Sequence, residues 1–253
     1  MKRRHYSTLQ VARAAGVHPN TVRMYEVWGF LPPIPRAPNG YRLYTEFHID
    51  QMRFARAALH GGWPGHNIRA SAAALVRRSA SGDLGGALEQ AYRHLAVVQA
   101  ERAQAEGAAN LLERWAQGTA IDATAKPLRI KDAAKLLGVT SDMLRNWERN
   151  GLLKVPRDPH SRYRYYGAAE LDRVRVIRTL SRAGYSNMAI LRMLRRLDAG
   201  ERHNLRRALD TPEPHEDVFT AADQWLTALQ SQEQRANDMI AQLEVMIRKR
   251  RGK

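Results

Sequence analysis

Two eleven-residue stretches, HPNTVRMYEVW at 18–28 and TSDMLRNWERN at 140–150, are rich in hydrogen-bonding, basic and aromatic side chains of the types that suit contact with a polyanion. Asn and Arg make paired hydrogen bonds to base edges, Ser and Thr hydroxyls reach bases or phosphates, and aromatic rings stack. The candidates are Asn20, Thr21, Arg23 and Met24 in the first stretch, and Ser141, Arg145 and Asn146 in the second. Downstream of each, basic and aromatic residues alternate: Arg36, Tyr41 and Arg42, then Arg157, Arg162, Tyr163 and Arg164. Other chemistries lack their parts. With no cysteine there are no thiolate ligands and no cysteine nucleophile. The nine histidines are scattered without metal-ligand spacing, and His60 and His66 merely flank a Gly-Gly-Trp-Pro turn. Gly61-Gly62 and Gly85-Gly86 are followed by no Gly-Lys-Ser/Thr, so neither cradles a phosphate. No catalytic triad or paired carboxylates stand out. The expectation is a binding protein, not an enzyme, with no cofactor and no metal.

Charge agrees. The 253 residues hold 41 Lys plus Arg against 25 Asp plus Glu, a formal +16, and such a surplus calls for a polyanionic partner. The basic residues are mostly Arg, whose fork suits phosphates and guanine edges. The N-terminal MKRRHYST has no apolar stretch behind it, and no apolar run reaches the ~20 residues that cross a bilayer. A cytoplasmic, nucleoid-associated protein without a membrane contact is expected.

The elements that position these residues come in two copies. At an offset of 122 residues Gly16-Val17 falls on Gly138-Val139, Arg23 on Arg145, Glu26 on Glu148, Gly29 on Gly151, Tyr41-Arg42 on Tyr163-Arg164 and Tyr44 on Tyr166. About a quarter of some sixty positions match without a gap, which chance does not produce. Each copy begins with a short helix (Leu9, Ala12 and Ala15 on one face), a turn at Gly16-Val17, and a second helix opened by Pro19 and stopped by Gly29. In the second copy Thr140-Ser141-Asp142 supply the cap, with the N-cap role expected for Asp142, and Gly151 the stop. A Pro-rich segment with Asn39-Gly40 follows and predicts a hairpin. Pro159-His-Ser replaces Asn-Gly in the second copy. Helix, turn, helix, hairpin is a winged helix-turn-helix, and two further helices follow in each copy, the fourth after Gly62 or Gly184. Glu26 and Glu148 are expected to hold the wings; Tyr44, Tyr166 and Trp147 serve packing or binding alike.

The run Thr21-Val-Arg-Met-Tyr-Glu26, Gly29-Phe-Leu-Pro-Pro33 and Asn39-Gly-Tyr-Arg-Leu-Tyr44 resembles the DNA-binding domain of the MerR family of bacterial transcription regulators. The resemblance covers residues 6–72 and, more loosely, 127–197, where Arg145, Trp147-Glu148, Gly151-Leu-Leu153 and Arg162-Tyr-Arg-Tyr-Tyr166 carry it. It implies that the second helix of each copy enters the major groove and that Arg23 and Tyr25, with Arg145 and Trp147, contact the site and its phosphates. Met24 stands where relatives often have a second Tyr. Wing residues would grip the flanking backbone. The family's mechanism, kinking and untwisting an over-long promoter spacer for RNA polymerase holoenzyme, would make double-stranded promoter DNA and the polymerase its partners. Metal-sensing relatives use Cys, absent here.

The expected architecture is mainly α: a first winged helix-turn-helix domain at 1–75, a long helix at 83–117, a linker at 118–126, a second domain at 127–200, and a long coiled-coil-type helix at 216–249. Leu88, Leu95, Val98, Ala105, Ala109, Leu112 and Ala116 form the first apolar stripe, interrupted at Arg102. Val218, Ala222, Trp225, Leu229, Ala236, Met239, Leu243 and Met246 form the second, broken at Gln232. Relatives pair such helices in an antiparallel dimer. Here the two could pair within one chain as a pseudo-dimer, or between chains in a homodimer with four DNA-binding domains. An inducer pocket lined by Trp115, Trp225 or Phe219 is conceivable, although seam packing is the simpler role. Because the two second helices differ, the half-sites should differ. An architectural or excisionase-like DNA-binding protein is the alternative function, and an adaptor docking through 216–249 a third.

Overall fold

The computed structural model describes residues 4–60, 66–118, 126–213 and 221–252. They divide into two compact units, one of residues 1–100 with 229–253, the other of 101–228. Most of the expected linker, the Gly-Gly-Trp-Pro turn, Val218 and Phe219 lie outside the described residues.

Unit 1 starts with helices α1 (Thr8–Ala15) and α2 (Pro19–Val27). Ser7 Oγ accepts from Gln10 N while Gln10 Oε1 accepts from Ser7 N, a reciprocal cap that nucleates α1. Gly16, at φ +63°, ends it and turns the chain, with its N–H bonded to the last α1 carbonyls. Pro19 sits at the start of α2, and His18 is the cap: its Nδ1 accepts from Asn20 N. The wing is a short hairpin in which Arg36 and Arg42 pair across a turn and Gly40 holds φ +82°. Tyr6 and Tyr44 bridge behind it. Helices α3 (Glu46–Leu59) and α4 (His66–Ala80) complete the domain.

The core joins Val11, Val22, Leu31, Tyr44, Met52, Phe54, Leu75 and Val76. Burying each such side chain stabilises the fold by about 1.5–3 kcal/mol. Gln51, fully buried, is the polar pin: its amide donates to the carbonyls of Phe30 and Val76, and its Oε1 accepts from Ser79 Oγ at 2.7 Å. The first half of α5 (Leu84–Ala116) closes this core together with α11 (Trp225–Arg251), through Leu84, Ala87, Ala91, Met239, Ile240, Leu243 and Met246. The two run antiparallel within unit 1. Gln99 Nε2 donates to Glu233 Oε1 at 3.0 Å, Arg250 reaches the Gly82 carbonyl, and Lys249 Nζ pairs with the Asp50 carboxylate at 2.9 Å.

Unit 2 repeats the plan. Strand β1 (Leu128–Arg129), α6 (Ile130–Leu137), α7 (Ser141–Arg149), β2 (Tyr165–Tyr166), α8 (Ala168–Arg182) and α9 (Asn187–Asp198) follow in order. Leu128 pairs with Tyr166, the counterpart of the Tyr6–Tyr44 bridge. The wing pairs Arg157 with Arg164, and Arg162 takes φ +60° at the position equivalent to Gly40. The second half of α5 packs here, with Tyr185 Oη donating to the Ala105 carbonyl.

Residues 199–213 and 221–224 add elements that periodicity does not reveal. Helix α10 (Leu205–Asp210) buries Leu205, Ala208 and Leu209. The buried Arg192 guanidinium donates to the carbonyls of Ala208, Leu209 and Asp223. A 3-10 turn (Ala221–Gln224) leads into α11, which begins at Trp225, and the Asp210 carboxylate caps it by accepting from Leu226 N and Thr227 N. Trp225 Nε1 donates to the Ala183 carbonyl at 2.6 Å with its ring over Gly184, so this indole packs inside unit 2.

The apolar stripe of α11 is buried as expected from Trp225 to Met246, and Gln232, expected as its break, is buried with it. On α5 the buried face falls at Leu84, Ala87, Ala91, His94, Val98, Ala105, Ala109, Leu112 and Ala116, which leaves Leu88 and Leu95 at its edge.

Candidate nucleic-acid interface

In each unit the second helix of the tight pair offers an outer face. On α2, Asn20, Arg23 and Met24 are exposed and Thr21 half-buried; on α7, Asp142, Met143, Arg145 and Asn146 are exposed and Ser141 half-buried. Inward faces anchor these helices: Val22 and Tyr25 in one, Leu144 and Trp147 in the other. Tyr25 packs edge-to-face on Phe30 at 5.5 Å, and Trp147 is only 4% exposed. Both aromatics, expected as contact residues, therefore stand in the packing. Tyr44 and Tyr166 are fully buried, which assigns them to the core.

The polar residues on each outer face are coupled across one turn. Arg23 Nη1 donates to Asn20 Oδ1 at 3.1 Å, and Arg145 Nη1 pairs with Asp142 Oδ1 at 2.7 Å. The expected N-cap role of Asp142 is corrected by the geometry: Thr140 Oγ1 accepts from Met143 N and is the cap, which leaves Asp142 88% exposed on the helix surface. A threonine one residue earlier already satisfies the orphan N–H. Asn146 Oδ1 accepts from Asn150 Nδ2 at 3.0 Å.

The wings are braced from the same helices. Arg42 Nε donates to Glu26 Oε2 at 2.7 Å, and Arg164 Nε to Glu148 Oε2 at 2.6 Å, the same bond in both copies, so the two glutamates hold the wings. Glu148 also lies 3.7 Å from Arg157. These arginines are partly neutralised and half-buried, whereas Arg36, Tyr41, Arg157, Arg162 and Tyr163 stay exposed. Arg36 Nη1 donates to the Gly40 carbonyl, and Arg129 stacks on Tyr163 at 4.9 Å. Arg129 directly precedes α6 and lies outside both motif stretches, so no spacing along the chain marks it as the stacking partner. In the second wing the Asp158 carboxylate accepts from Ser161 N, Ser161 Oγ and His160 N, and these bonds hold it below the usual carboxylate range. This side-chain turn does the work that Asn39-Gly40 does in the first copy.

What the arrangement offers is two exposed helix faces with paired hydrogen-bonding forks, each flanked by a basic wing. Among the described residues no group of three or more His, Asp or Glu is placed to hold a metal ion. No described helix is long and apolar enough to cross a membrane.

The model of the MerR HTH family of regulatory proteins matches residues 6–75 and 128–197, one match per copy. The mercuric resistance operon regulatory protein of Serratia marcescens is 40% identical over 67 residues, 26% of this chain and 46% of that protein. A probable heavy metal-dependent transcriptional regulator of Haemophilus influenzae is 36% identical over 67 residues, 26% of this chain and 52% of its own length. The HTH-type transcriptional regulator CueR of Escherichia coli O6:H1 is 36% identical over 53 residues, 21% and 39% respectively. The chain thus spans about half the length of the curated relatives it matches, or less. No solved structure matches.

Proposed function

The chain belongs to the MerR HTH family of regulatory proteins, and from that premise we propose that it is a sequence-specific, DNA-binding transcription regulator acting on promoter DNA. The observation that carries the reading is the duplicated constellation: in each unit a capped second helix presents an exposed arginine fork, and a Glu–Arg bond ties the adjacent wing to that helix. The contact set comprises Asn20, Thr21, Arg23 and Met24 with Arg36, Tyr41 and Arg42, and Ser141, Arg145 and Asn146 with Arg157, Arg162, Tyr163 and Arg164, joined by Asp142, which the Thr140 cap leaves exposed. Base edges fall to the helices and phosphates to the wings.

The finer reading is an activator. Bound to a spacer that holds two promoter elements out of register, it kinks and untwists the duplex so that RNA polymerase holoenzyme engages both; the deformability of the spacer contributes to recognition. Two winged domains in one chain, with α11 packed antiparallel to α5 inside unit 1, support action as a single-chain pseudo-dimer on an asymmetric site. A homodimer through the long helices would instead bring four DNA-binding domains. The chain has no cysteine, so a thiolate sensor of the kind that grips soft metals is excluded.

Genome-wide footprinting followed by light scattering on the mapped duplex tests this. One 28.7 kDa chain per asymmetric site within a promoter spacer is the expected result. Two chains per site reject the pseudo-dimer, and salt-sensitive binding everywhere without a discrete site replaces the regulator with an architectural protein.

A further inference from the structure

On unit 1, the C-terminus of α1, the outer face of α3 and the middle of α11 line an open cleft of about 670 Å³. That volume falls within the range of small-molecule sites. Its polar lining is one-sided: Arg13, Arg53, Arg56 and Arg235, with His60, against the single carboxylate of Asp238. Three of the arginines spend a donor on a backbone carbonyl. Arg53 Nε donates to Ala14 at 3.0 Å, Arg56 Nη1 to Ala15, and Arg235 Nη1 to His60. Capping the α1 carbonyls accounts for why Arg53 and Arg56 lie where they do. Arg235 likewise caps the end of α3 at His60, but capping accounts neither for Arg13 nor for the absence of any ion pair on all four among the described residues. Asp238 accepts from Gln234 and bridges to none of them.

Four like charges around one concavity repel, and most guanidinium N–H donors remain available there. The second copy keeps the basic set: Lys135, Arg175, Arg178 and Arg182 stand 122 residues after Arg13, Arg53, Arg56 and His60. There the Arg178 guanidinium lies below its usual range through burial and the neighbouring Arg182 and Arg175, and its Nε is buried without a hydrogen-bond partner.

We propose that the unit 1 cleft binds a multiply charged oxyanion, a phosphate-type group held by the forks of Arg13 and Arg235 over the α1 C-terminal turn. Guanidiniums recognise such groups with two parallel hydrogen bonds. An anion shared by Arg235 of α11 and Arg13 of α1 ties the long helix to the helix-turn-helix, so its occupancy stiffens the body that presents α2. The same chemistry has two sources, a free phosphorylated metabolite or the backbone of bound DNA.

Calorimetric titration of the full chain with inorganic pyrophosphate tests the site, beside R13A, R13A/R235A and the control R93A, which removes an exposed arginine paired with Glu89 on α5. Binding below about 1 mM in the wild type and R93A, weakened about tenfold or more in R13A, is expected. Arg13 donates to no described group, so R13A keeps its fold even where the double variant does not. If affinity for a random duplex is then unchanged in R13A, the ligand is a free anion. If it falls alike on every sequence and the salt slope drops by about one per arginine removed, the ligand is the DNA backbone. Pyrophosphate binding that is absent, equal in wild type and R13A, or equally weakened in R93A overturns the site. DNA recognition fails separately, through loss of the discrete footprint, and leaves the pyrophosphate result standing.

Discussion

At the residue scale, the contrast between Asn20–Arg23 and Asp142–Arg145 distinguishes the two copies. Arginine takes both acceptors of guanine, asparagine pairs with adenine, and aspartate accepts from the cytosine amine. The first half-site should therefore pair guanine with a nearby adenine, and the second guanine with cytosine. An exposed ion pair stabilises the fold by less than about 1 kcal/mol, so D142N should leave stability intact. In selection from a randomised duplex it should shift the second half-site from cytosine to adenine, with about 1–3 kcal/mol of discrimination at that base; an unchanged preference would remove Asp142 from readout. His94 acts differently. It is 1% exposed in α5, its Nδ1 has no hydrogen-bond partner, and burial lowers its pKa below the usual value near 6.5. In the unfolded chain it takes up a proton first, so its contribution to stability is full above about pH 6.5 and is lost as the pH falls toward the lower folded value. His48 in α3 is lowered by the same cause. Urea unfolding at pH 5 and 7.5 should show a smaller difference for H94Q than for wild type.

At the element scale, the wings solve one turn with different residues. Gly40 takes φ +82° without strain, whereas Arg162 takes φ +60° with a Cβ. G40A should cost about 1 kcal/mol, while R162G should be neutral or stabilising by a similar amount, read as shifts of opposite sign in the thermal midpoint. The R162G variant also removes a wing charge, so its DNA affinity should fall on all sequences alike while its stability does not. Much of each element was legible. The Pro19 start, the Gly16 and Gly29 stops and the Asn39-Gly40 tip follow from backbone sterics that act within a few residues. His18 as a cap, Thr140 in place of Asp142, and α10 were not, because competing side chains for one orphan N–H look alike in a string and because six residues are too few to show a period.

At the scale of the whole molecule, two units of one plan with different outer faces predict separable losses. R23A should erase protection over one half of the footprint and R145A over the other, and both losses over the same half would contradict an asymmetric site. Charge of +16 makes affinity steeply salt-dependent: with six or more phosphate contacts, it should fall about a thousandfold between 50 and 200 mM salt.

Repetition at a fixed offset, the absence of cysteine, the basic surplus and the turn residues determined by themselves that the chain carries two winged helix-turn-helix domains and long helices, because those signals are local or compositional. Only the tertiary structure decided which faces of α5 and α11 are buried, that Tyr25, Tyr44, Trp147 and Tyr166 belong to the core, and that Arg13, Arg53, Arg56 and Arg235 meet in one cleft. These depend on residues up to about two hundred positions apart being brought within a few ångströms, and no pattern along the chain encodes that distance.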